Sequence, residues 1–342
     1  FIYHYGPSSI VGGGGMEHAN STAISASTLP GAINVGAHEF FHLWNVKRLR
    51  PASLEPVDYS REQYTRSLWF AEGVTSTYGS YTLVRTGLWT PRQFYDDLAN
   101  EITSLESRPA RAWQSVEQSS LDAWLEKYPL YRRPDLSISY YNKGQLVGVL
   151  LDILLRDQTD NRASLDDVLR YLNDNFARHN RPYRDSDLLA ASRAVLSRVL
   201  KPLTVGAGLR ARPVAPGFGP TSFPLAARPA TPRCARLPGA LSFRGLAVAA
   251  SPRNLLFSVS TSLVEPPDTL DEFFARYVSG TEPLDYDFFL SKAGLALKSR
   301  PRKQSNSASP LLFYEIEELP NPTDRQRRIR DALLRGTTDP AR

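Results

Sequence analysis

The sequence predicts a mainly helical α+β domain with a small strand region on its N-terminal side. Three observations carry this. Apolar residues recur near a period of 3.6 in several separate segments, most of them opened by a capping residue. Only the first residues, Phe1-Ile2-Tyr3-His4-Tyr5, read as the interior of a strand. A His-Glu-x-x-His run, His38-Glu39-Phe40-Phe41-His42, sits inside one of the helical segments.

The first helix is expected at about residues 33–46 and the second at about 66–86. In the second, Trp69, Phe70, Val74, Tyr78, Tyr81 and Val84 share a face and Gly87 ends it. Thr90-Pro91 opens a third, with a capping hydroxyl followed by proline at the first helical position. Leu146, Val149, Leu150, Ile153 and Leu154 define a helix at about 141–157. Ser164-Leu165-Asp166-Asp167 opens another at about 164–177, with acids in its first turn. One more spans about 185–200.

Residues 201–264 break the pattern. They are rich in Pro, Arg, Ala and Gly, have no apolar spacing, and are expected to form a disordered insert of low complexity. Translated non-coding or frame-shifted sequence would read this way. Order returns at Thr269-Leu270-Asp271-Glu272, a capping box, and a last amphipathic helix is expected at about 324–335. The expected domains are therefore a catalytic part at 1–200, the insert at 201–264, and a helical C-terminal part at 265–342 that completes the catalytic part.

Composition narrows the function classes. The net charge of +6 is local: between Leu188 and Val264 there are ten basic residues and no acid. With those ten removed, 31 of the 41 Lys+Arg remain against 35 Asp+Glu, so the rest of the chain carries −4. The basic segment lacks periodicity and any recognisable nucleic-acid module, which argues against a nucleic-acid partner. The best apolar run, Leu146–Leu155, is interrupted by Asp152, so no membrane span is expected. Cys234 is the single cysteine, so disulfides do not hold the fold; a cytoplasmic location is slightly favoured on that ground. The chain begins at Phe1 within strand-like sequence, and a missing N-terminal portion is expected.

The chemistry is read from the His-Glu-x-x-His run. Residues four apart lie on one helix face, so His38 and His42 can point at one ion while Glu39 reaches a water beside it. The third ligand is expected at Glu72 in Trp69-Phe70-Ala71-Glu72-Gly73. A carboxylate among large apolar side chains is costly unless a cation pairs with it.

His38 to Asn45, the following Val46-Lys47-Arg48-Leu49-Arg50-Pro51 and the Trp-Phe-x-Glu-Gly of 69–73 together resemble the glycyl-aminopeptidase family of zinc peptidases. These are gluzincins, distantly similar to the aminopeptidase N type. The resemblance implies a thermolysin-like zincin catalytic domain, Zn2+ held by His38, His42 and Glu72, and Glu39 as the general base. It likens Gly14, Gly15 and Glu17 to an edge segment where an extended peptide docks and Glu17 meets the substrate's N-terminal ammonium. Ser139-Tyr140-Tyr141-Asn142-Lys143-Gly144 resembles a motif whose tyrosine supports the oxyanion. By alignment that is Tyr141, with Tyr140 the neighbour if the register slips by one. His18 is open between a supporting and a plain surface role. His179 is expected to be solvated. The implied partner is a peptide, cleaved at an N-terminal residue that is small by resemblance alone. A thermolysin-like endopeptidase, a non-catalytic peptide binder or a damaged gene product are the alternatives. The sequence gives no oligomeric state and no support for an appended PDZ module.

Overall fold

The computed structural model describes residues 1–7, 14–126, 133–200, 267, 269–302 and 311–336. The expected insert at 201–264 and the first glycines of the four-glycine run, Gly12 and Gly13, lie outside these residues.

Thr28 starts the helix that carries His38 and His42. Its hydroxyl accepts from the Gly31 N–H, and Pro30 sits in the first turn, so α1 runs Leu29–Phe41, four residues ahead of the expected start. The helix also ends earlier than expected: His42 is its C-cap, still in right-handed helical conformation. Turns follow over residues 42–48, and a short 3-10 helix, Ala52–Leu54, holds Ser53, which bonds Thr65.

Three strands lie against α1. β1 (Ile2–Pro7) pairs in parallel with β3 (Ser21–Ala26), and β2 (Gly14–Glu17) pairs antiparallel with the other side of β3. In β3, Thr22, Ile24 and Ala26 alternate inward, and Ile24 meets α1 at Gly36. The order β1-β3-β2 leaves β2 on an edge of this sheet.

The second expected helix comes in two parts. Trp69–Val74 is a π-helical turn, and α2 (Thr75–Arg85) continues from it. A π-turn inserts one residue relative to the α-helix and re-aims the side chains around it. It packs on α6 (Tyr140–Gln158), which is capped by the Ser139 hydroxyl. The two cross at a pair of glycines: a Cβ on Gly73 would stand 2.5 Å from the Gly144 Cα, and one on Gly144 would stand 2.6 Å from the Trp69 carbonyl. No side chain larger than hydrogen fits at this crossing. The contact therefore fixes the start of α6, with Tyr140 and Tyr141, beside Glu72.

Around this centre pack α3 (Pro91–Glu106, with the expected Thr90 capping box), α4 (Val116–Leu121), α5 (Ala123–Glu126), α7 (Leu165–Asn175) and α8 (Asp185–Leu200). The C-terminal part contributes α9 (Leu270–Phe273), α10 (Tyr286–Lys292) and α11 (Asp324–Arg335). It is not wholly helical: β4 (Leu295–Arg302) and β5 (Leu311–Glu318) form an antiparallel pair, with β5 against α3 and β4 against α10. Residues 1–202 and 265–342 make one compact unit. Its core is continuous from Trp69 and Phe70 through α6 to Phe273 and Phe289. The fold is α+β, mostly helical with small strand regions. Among the described residues no helix is long and apolar enough to cross a membrane.

Candidate active site

α1 and the π-turn deliver three ligand atoms to one point. His38 Nε2 lies 3.2 Å from Glu72 Oε2, His42 Nε2 lies 3.3 Å from the same oxygen, and the two Nε2 atoms are 3.0 Å apart. For ligands about 2.0–2.1 Å from a tetrahedral ion, neighbouring ligand atoms stand roughly 3.3 Å apart. The triangle found here has those edges, so the three side chains form a group that could hold a metal ion.

The outer nitrogens set the tautomer of each ring. A carbonyl only accepts, so His42 Nδ1 donates to the Asn45 carbonyl at 2.7 Å. Ser76 Oγ donates to the Glu72 carbonyl at 3.1 Å and so accepts from His38 Nδ1, also at 3.1 Å. Both Nε2 lone pairs then face the centre, as metal binding requires. Asn45 ties the end of α1 to the π-turn, its Nδ2 donating to the Phe70 carbonyl at 2.8 Å and to Thr75 Oγ1 at 3.2 Å.

The charges are arranged for a cation. Burial pushes the His38 imidazole below its ordinary value, although Glu72 pulls the other way. For His42 burial also acts downward, but the bond to Glu72 and its charge outweigh it, and the value rises. Burial alone would raise Glu72; the two imidazoles outweigh it and hold the carboxyl well below the usual range. Glu39 is buried on α1, and burial pushes its carboxyl up to about 7, against the opposing pull of His42. Its Oε2 is buried with no hydrogen-bond partner. An acid left in this state faces something that the side chains around it do not provide.

Edge strand β2 covers Glu39. A Cβ built on Gly15 would lie 2.3 Å from Glu39 Oε1, so only glycine lets the strand come this close. Gly14 has open space at the same test. Glu17, at the end of β2, brings its carboxylate within 4.8 Å of the Glu39 and His42 ligand atoms. It is paired with Lys47 Nζ at 3.1 Å. Sequence reasoning missed Lys47 as a neighbour of Glu17; the two are thirty residues apart and meet only because β2 folds back over the end of α1.

Tyr141 enters from α6. Its ring lies 5.9 Å from that of His38, and its hydroxyl donates toward Glu72. Burial, with the Glu72 charge close by, holds the phenol well above its ordinary range, so it stays a proton-bearing donor. Tyr140 stacks behind it at 4.9 Å and faces a different cavity, shared with Leu68 and Trp124. Tyr141 is thus the tyrosine beside His38 and Glu72, and Tyr140 is its buried support. His18 and His179 are exposed and apart from this group.

Fold and site together define a zincin-like peptidase domain. The M61 glycyl aminopeptidase family model matches residues 32–147, the stretch that carries α1, the π-turn and the first half of α6. Over this stretch, about a third of the chain, it is similar to the glycyl aminopeptidase family. In fold it is similar to an aminopeptidase N family protein from Idiomarina loihiensis, with a TM-score of 0.61 at 21% identity. The alignment covers 90% of this chain and 43% of that one, so the chain spans less than half the length of that neighbour. No curated protein sequence matches.

Proposed function

We propose that the chain is a zinc-dependent aminopeptidase that removes N-terminal residues from peptides. The observation that carries this reading is the triangle of His38, His42 and Glu72 beside a buried Glu39 that lacks a partner. Two imidazoles and one carboxylate suit Zn2+, which keeps a fourth position open in catalytic sites. Bound there, the ion would polarise the scissile carbonyl and lower the pKa of a water.

The chain's own residues do the rest. Glu39 takes the proton from the attacking water and passes it to the leaving amine; a carboxyl near 7 is poised for both. The Tyr141 hydroxyl donates to the oxygen on which negative charge develops. The free edge of β2 receives the substrate backbone as an added strand. Glu17 meets the substrate's terminal ammonium, which selects a free N-terminus over a chain interior. A small first residue such as Gly or Ala is the substrate that the likeness to the glycyl aminopeptidase family suggests.

Turnover of glycine p-nitroanilide compared with its N-acetylated form tests the reading. We expect cleavage of the free amine and little of the blocked substrate. Equal cleavage of both would instead favour an endopeptidase with the same metal group. Zinc measured on the purified protein should approach one ion per chain and fall in His42→Ala.

A further inference from the structure

Residues just after α1 and at the end of α7 line a polar cavity of about 430 Å3. Four cations line it, Lys47, Arg48, Arg50 and Arg178, together with Asn173 and Asn180, and no carboxylate is among the lining residues. The acids that pair with these cations stand outside the cavity: Glu17 on Lys47 at 3.1 Å, Glu55 on Arg50 at 3.5 Å and Asp174 on Arg178 at 3.2 Å. Unlike its neighbours Lys47 and Arg50, the Arg48 side chain has no ion pair among the described residues, and Arg50 Nε is buried without a hydrogen-bond partner. The walls are fixed. Arg50 Nη2 donates to Asn180 Oδ1 at 2.7 Å, and the Tyr183 N–H donates to the Arg50 carbonyl at 2.9 Å, which locks residues 47–51 to the segment after α7.

A cleft lined by one sign of charge focuses potential and concentrates the opposite ion. Guanidinium forks pair with oxyanions through parallel N–H bonds, and here unused N–H groups remain. We propose that this cavity binds a small, doubly charged tetrahedral oxyanion, a phosphate free or carried on a small molecule. Lys47 is shared between this cavity and Glu17. An anion that draws on Lys47 therefore competes with Glu17 for one ammonium, and the two sites are coupled through that side chain. The coupling to substrate rests on the proposed role of Glu17; the binding site does not.

Calorimetric titration of the full chain with inorganic phosphate, at ionic strength held constant with sodium chloride, tests this. Saturable binding is expected. It should weaken by about a hundredfold in Arg48→Gln with Arg178→Gln, since each charge-assisted contact carries roughly a tenfold share. Both arginines are exposed, so these variants keep the fold; Arg48→Gln alone should show a smaller loss in the same direction. Glu17→Gln frees Lys47 and should tighten phosphate severalfold. Glycerol phosphate binding more tightly than the free ion would identify a phosphorylated small molecule as the ligand, and the reverse order a free ion. Binding no stronger than that of chloride, or binding kept in the double variant and so located elsewhere, would overturn the proposal. Neither result bears on cleavage of glycine p-nitroanilide, which judges the peptidase reading separately.

Discussion

His42 donates from Nδ1 to the backbone carbonyl of Asn45 at 2.7 Å, and the same carbonyl accepts from the Thr75 hydroxyl at 3.0 Å. One peptide oxygen thus sets the tautomer of a metal-site imidazole and ties it to the first turn of α2. The Asn45 side chain holds that peptide in place through Phe70 and Thr75. Asn45→Ala should leave the ligands intact and loosen their orientation. Metal affinity is expected to fall about 10- to 100-fold, the usual cost of losing such support. Competition with a chromogenic chelator measures this, and unchanged affinity would show that Asn45 serves stability alone.

Glu39 offers a pH prediction. A general base must be unprotonated to take a proton, so activity is lost as pH falls through its pKa. Burial raises that value to about 7, and a cation at the neighbouring triangle pulls it down again. The acid limb of kcat/KM should therefore have its midpoint at or below pH 7. Glu39→Gln should keep metal, as read by atomic absorption, and lose roughly 10²- to 10⁴-fold in kcat. Equal turnover in the variant would remove Glu39 from the mechanism.

Gly15 tests the close approach of β2. An added methyl group collides with the Glu39 carboxylate, and either the strand or the acid must move. A displacement near 1 Å at such a group can cost about 100-fold in rate. Gly15→Ala should thus lower kcat/KM by that order, while Gly14→Ala, which meets open space, should stay close to wild type. A similar rate for both variants would argue against contact between β2 and the base.

Much of this site was legible in the sequence because it is written in local terms. A helix places i and i+4 on one face, so His38 and His42 needed no tertiary information. Glu72 stood out as an acid among Trp69, Phe70 and Val74, and the structure shows why that was tolerable: two imidazoles face it. The π-turn that aims Glu72 was not legible. It sits at the crossing of Gly73 and Gly144, seventy-one residues apart, and no periodicity in either segment reports that contact. The pairing of β4 with β5 was missed for a related reason. Leu295–Arg302 mixes Lys, Ser, Arg and Pro, and its place is settled by β5 and α10 rather than by a strong alternation. Lys47 likewise read as one of several basic residues after the metal helix. Only the return of β2 gives it Glu17 as a partner and the cationic cavity as a neighbour.

Lys143 lies in the same motif as Tyr141 but away from the chemistry, its side chain 2% exposed in α6. Burial depresses its ammonium from 10.5 to about 8, with Glu106 opposing only in part. The sign follows from linkage. Between about 8 and 10.5 the unfolded chain holds a proton that the folded chain has released, so stability rises with pH across that window. Below about 8 the folded protein carries a buried charge, at a cost of roughly 3 kcal/mol from the size of the shift. Lys143→Met fills the same space without the charge and should melt several degrees higher than wild type at pH 7, at about 2–4 °C per kcal/mol. The difference should shrink toward zero by pH 10.5, where both side chains are neutral in the folded state. Melting curves at pH 7, 8.5 and 10 decide it: an offset that does not change with pH would mean that packing at the Glu106–Leu284 cavity, and not the lysine charge, sets the effect.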